Sequence, residues 1–98
     1  RANGSYEPHE LTASSGLRAE PSVITNSGTV GGALVGSQGS DAVIWENDGA
    51  DLHRVAAQGL PSGCQLDRVA DMNERGGLLV EATCGPLIRQ LLILRRTN

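Results

Sequence analysis

Apolar residues in this chain come in short runs punctuated by glycine, and no run keeps a helical period beyond two turns. In the C-terminal half Leu78, Val80, Ala82 and Cys84 alternate with Leu79, Glu81 and Thr83. That period of two predicts a strand with one buried face. The runs Ala42-Val43-Ile44-Trp45 and Leu91-Leu92-Ile93-Leu94 are apolar at every position, as expected of strands covered on both faces. Gly28 and Gly76 each close a polar turn between two apolar stretches. This is a hairpin signal, because glycine supplies the positive φ such turns require. Glu46-Asn47-Asp48-Gly49 reads as a further turn. Asp51-Leu52-His53-Arg54-Val55 then reads as a more polar strand suited to a sheet edge.

The pattern repeats. Val23–Gly32 aligns with Asp71–Val80, placing Ile24 on Met72 and Gly28 on Gly76 at an offset of 48 residues. The two fully apolar runs recur at an offset of 49. Each copy reads as a four-stranded antiparallel unit, one over approximately 19–60 and the other over 64–98. Tyr6-Glu7-Pro8-His9-Glu10-Leu11 echoes Trp45 through Leu52 in compressed form, while the second copy stops after its third strand at Leu94. Residues 6–13 are therefore expected to supply the fourth strand of the second unit. The expected fold is all-β, built from two such repeats of about 48 residues.

Ile24, Gly28, Val30 and Gly32, followed by Val43-Ile44-Trp45, Gly49 and Asp51-Leu52, resemble the HAF-type secreted extracellular repeat family. Its units read approximately I-N-x-x-G-x-V-x-G, then an apolar run ending in W-x-x-G, then D-L. The first copy has Thr25 where the family has Asn, which the second copy restores as Asn73; the second has Leu94 where Trp is expected. The resemblance spans roughly residues 22–94. It implies β-propeller-like blades, an extracellular setting, no family-wide catalytic residue, and a ring closed by an N-terminal strand that completes the last blade. Two blades do not close a ring, since propellers have about four to eight. Completion is thus expected from identical copies, with three chains giving roughly six blades, or from further segments of a larger propeller of which this is a fragment.

Composition narrows the picture. With 39% apolar residues, no Phe, and Trp45 and Tyr6 as the sole aromatics, the core must be aliphatic. Thirteen glycines fit many tight turns. Eight arginines and no lysine oppose eleven acidic residues for a net charge of −3, and the only basic doublet is Arg95-Arg96. That balance argues against a nucleic-acid partner, which needs a basic face. The longest aliphatic run, Leu91–Leu94, is far short of the roughly 18 residues of a membrane-spanning helix, so no membrane partner is expected. Arg1-Ala2-Asn3-Gly4 lacks the apolar core of a signal peptide, so any export signal is expected to have been removed.

Candidate chemistry centres on Cys64 and Cys84, the only cysteines. With the turn at Asn73–Gly76, Met72 faces Gly77, and pairing outward brings Cys64 opposite position 85, within one residue of Cys84. A disulfide is geometrically easy there. The alternatives are free buried thiols, or a metal site that would need further soft ligands, with His9 and His53 far off in sequence. The two histidines fall at corresponding places in the edge-strand pattern, either as pH-sensitive contacts or a base, or as exposed polar residues. Asn47-Asp48-Gly49-Ala50-Asp51 has oxygen ligands of a fragmentary calcium loop but lacks its bidentate acid, so it reads as a turn. Asp67, Asp71, Glu74 and Glu81 could pair for sugar hydrolysis, although acids are common on strand surfaces. Trp45 is either a sugar-stacking platform or core, and its apolar strand favours core. No nucleophile, base and orienter assemble, so no catalytic residue, cofactor or metal is assigned. The expected function is a secreted, non-catalytic module binding a protein, for instance a protease, through loops on a rigid scaffold. The alternative is a carbohydrate-binding, lectin-like use of the same scaffold.

Overall fold

A computed structural model describes residues 8–37, 39–56, 60, 63–85 and 88–95. The described residues are all-β with no helix, in two antiparallel meanders. The first sheet has the order β1 (Arg18–Ile24), β2 (Val30–Gly36), β3 (Gly39–Glu46) and β4 (Asp51–Arg54). The second has the order β5 (Cys64–Met72), β6 (Leu78–Cys84) and β7 (Ile88–Leu94).

Turn chemistry sets the hairpins. Between β5 and β6 the Asn73 amide donates to the Gly77 carbonyl at 3.0 Å, and Asn73 Oδ1 accepts from the amides of Arg75 and Gly77, both at 2.9 Å. Gly76 sits at φ 86°, in the left-handed region that glycine enters without strain. The β1–β2 turn repeats this arrangement with another residue. The Thr25 amide donates to Thr29 O at 2.9 Å, the Thr25 hydroxyl accepts from the Thr29 amide at 3.2 Å, and Gly28 has φ 92°.

Alternation along the strands divides the apolar residues between two clusters. Val30, Leu34, Val43, Trp45 and Leu52 lie on the face of the first sheet turned away from the other sheet, where Leu11, Leu17 and Ala19 cover them. The opposite face presents Val23, Ala42 and Val55 to Leu66, Val69, Leu78, Val80 and Ala82 of the β5–β7 sheet. Gly31 permits this contact, because a Cβ there would stand 2.7 Å from Val69 Cγ1 and 3.1 Å from Met72 Sδ. Corresponding faces therefore point the same way. The Val30 and Trp45 face of the β1–β4 sheet is directed outward, whereas the Leu78 and Leu94 face of the β5–β7 sheet packs against the β1–β4 sheet. Polar ties span the two sheets as well: Asn26 N to Glu74 Oε2 at 2.8 Å, Gln65 Nε2 to Asp41 Oδ1 at 2.6 Å, and Arg68 Nη1 to Ser22 Oγ at 2.8 Å.

Three expectations need correction. Residues 8–13 form no strand and do not complete the β5–β7 sheet; Thr12 N donates to Gly49 O at 2.9 Å, so the segment crosses the β3–β4 turn of the first sheet. Tyr6 and Glu7 of that segment, like Arg96, lie outside the described residues. The hairpin register also differs, since Met72 pairs with Leu78 and not with Gly77. Irregularities between Leu66 and Arg68 and between Val69 and Asp71 then bring Cys64 directly opposite Cys84. Finally, Leu91–Leu94 is not covered on both faces, because Leu91 and Ile93 are 63% and 70% exposed.

Candidate functional site

The residues singled out for chemistry are held in structural roles. Cys64 and Cys84 form a disulfide across the ends of β5 and β6. Trp45 is fully buried, and its indole Nε1 donates to Thr12 O at 2.7 Å. A buried indole N–H needs such an acceptor, and the N-terminal segment provides it. Residues 47–50 form the β3–β4 turn, with Asn47 and Asp48 in left-handed conformation and Ala50 N donating to Asn47 O at 3.1 Å.

The four acids each serve a neighbour. Asp67 Oδ2 accepts from the Thr83 hydroxyl at 2.5 Å, Asp71 Oδ1 from the Met72 amide at 2.8 Å, and Glu74 from the Asn26 amide. Glu81 pairs with Arg68 across β5 and β6. Among the described residues no group of three or more His, Cys, Asp or Glu gathers as a metal site. His9 lies in the N-terminal segment and His53 on β4, where its Nε2 is 3.3 Å from Glu46 Oε1.

A concave surface with mixed chemistry lies between the sheets. A groove of about 420 Å³ is floored by Ile44, Leu78 and Leu94 and rimmed by the His53–Glu46 pair, Arg54 and Arg95. β3 and β4 supply one wall and the ends of β6 and β7 the other. Arg54 is steadied by Asp41, whose Oδ2 is 3.5 Å from its Nε. An apolar floor inside a charged, arginine-bearing rim matches the anatomy of protein-recognition surfaces. Among the described residues no Ser, Thr or Cys lines it. Sequence reasoning flagged His53 but not the groove, because Ile44, Leu78 and Leu94 come together only when the two sheets pack.

No family model, curated protein or solved structure matches this chain.

Proposed function

We propose that this chain is a secreted, non-catalytic β-repeat module that binds another protein through the groove between its two sheets. The observation that carries the reading is the groove itself, an apolar floor of Ile44, Leu78 and Leu94 bounded by His53, Arg54 and Arg95. The burial of Trp45, the residue a carbohydrate-binding reading would use as a stacking platform, favours the protein-binding reading. Secretion is supported by the Cys64–Cys84 disulfide, since such bonds persist in oxidising compartments.

We further propose that the two sheets are successive units of one repeat of the HAF type, arranged as neighbouring propeller-like blades. β1 and β5 end at Ile24 and Met72, and β2 and β6 cover Val30–Gly36 and Leu78–Cys84, so the 48-residue spacing recurs in the strand bounds. The equivalent turn bonding of Thr25 and Asn73, and corresponding faces that point one way, support the same reading.

The test is affinity capture from the medium of the native secreting cells, run beside a glycan array, with the Arg54→Glu chain as control. A protein is expected on the unmodified chain, bound about tenfold more weakly, ~1.4 kcal/mol, by Arg54→Glu. Glycan binding without a protein partner, or a partner indifferent to the groove rim, would overturn the reading.

A further inference from the structure

Four strands stand at the edges of the two sheets, and three of them carry features that discourage pairing with another chain. β1 contains Pro21, which has no N–H to donate, and its register breaks between Pro21 and Val23. β4 is four residues long, with Asp51, His53 and Arg54 exposed. β5 breaks register twice and carries Asp67, Arg68 and Asp71.

Of these devices β7 has only one charged residue, Arg89. The strand pairs with β6 residue for residue from Ile88 to Leu94 without a register shift, contains no proline, and is uncharged from Gln90 to Leu94. Among the described residues no strand lies beyond it. On the outer face of this edge Leu91 and Ile93 are 63% and 70% exposed, two of the three large aliphatic side chains the described surface exposes, with Ile24 the third. A regular, apolar edge of this kind is a template for strand addition.

We infer that β7 is a self-association edge: a second copy of this chain pairs its own β7 antiparallel to it, joining two three-stranded sheets into one of six strands. The strand's own sequence makes it self-complementary. Residues directly opposite in an antiparallel pair share a face, so the position at the two-fold axis decides what meets. Centring on Leu91 puts Ile93 against Arg89 of the second copy, and centring on Ile93 puts Leu91 against Arg95. Centring on Leu92 sets Leu91 against Ile93 twice, which gathers the four exposed aliphatic side chains into one cluster. In that register Arg89 and Arg95 lie opposite each other at the two ends of the pairing. Because the pairing is two-fold, it closes at two copies.

The edge shares Arg95 with the groove rim, but Leu91 and Ile93 lie outside the groove, so variants at those two positions separate the inference from the protein-binding reading. Light scattering on the eluting chain, from micromolar to sub-millimolar concentration, tests it. A dimer is expected. Leu91→Lys and Ile93→Lys alter outward side chains, so circular dichroism should be unchanged while the dissociation constant rises about a hundredfold or the dimer disappears. Ile24→Lys and Arg54→Glu are expected to leave the dimer alone. A monomer throughout, assembly growing past two copies, a dimer unmoved by both β7 lysines, or one equally lost with Ile24→Lys would overturn the inference. A monomer that still captures its protein partner would overturn it while leaving the groove reading intact.

Discussion

Thr25 and Asn73 show how unlike residues fill one post. Each receives the amide of the residue four positions on, Thr25 through its hydroxyl and Asn73 through its amide oxygen, and each begins a turn whose fourth residue is a glycine with positive φ. The match of a short hydroxyl to a longer amide is possible because both place an oxygen acceptor beside their own backbone, as in ST and Asx turns. Thr25→Asn is therefore expected to change stability by less than about 0.5 kcal/mol. Asn73→Ala leaves two turn amides without their side-chain acceptor, and a loss of about 1 kcal/mol is expected in urea unfolding. If Thr25→Asn proved as damaging as Asn73→Ala, the equivalence of the turns would be lost.

At the level of elements, the N-terminal segment is a cover for the first sheet. Thr12 binds the β3–β4 turn at Gly49 and Ala50 and accepts the Trp45 indole N–H, while Leu11 packs on the cluster around Leu34, Val43 and Trp45. The first sheet thereby has apolar clusters on both faces, whereas among the described residues the β5–β7 sheet is covered only on the face that meets the first. Trp45 is the only tryptophan, so its emission reports on this cover directly. Leu11→Asp places a charge against the Trp45 cluster and is expected to shift the emission to the red, while Leu91→Asp, on the open face, leaves it in place. Equal emission from both variants would show that residues 8–13 do not shield the indole.

On the scale of the whole molecule, a 98-residue chain without phenylalanine has little core to spare, and the disulfide carries a share of its stability. Closing the loop between cysteines 20 residues apart contributes about 3 kcal/mol in the chain-entropy model. Reduction is expected to lower Tm by more than about 10 °C in a scanning calorimeter. Alkylation of two thiols without prior reduction would show instead that the bond is absent. Much of this architecture was legible before folding was considered. Alternation from Leu78 to Cys84 marked β6 and its buried face, glycine placed the turns, and the hairpin put the two cysteines within one residue of each other. These features are local, set by the two-residue period of a strand and the φ that a turn demands, so the chain alone determines them. The docking of residues 8–13, the burial of one apolar run and the exposure of the other, and the groove at Ile44, Leu78 and Leu94 were not legible. Leu91–Leu94 is as apolar as Ala42–Trp45, yet nothing within either run says whether another layer will lie against it. Tertiary structure alone decided that, because burial depends on which distant segment competes most favourably for each face, and here the Trp45 N–H and its acceptor Thr12 drew the N-terminal segment to the first sheet.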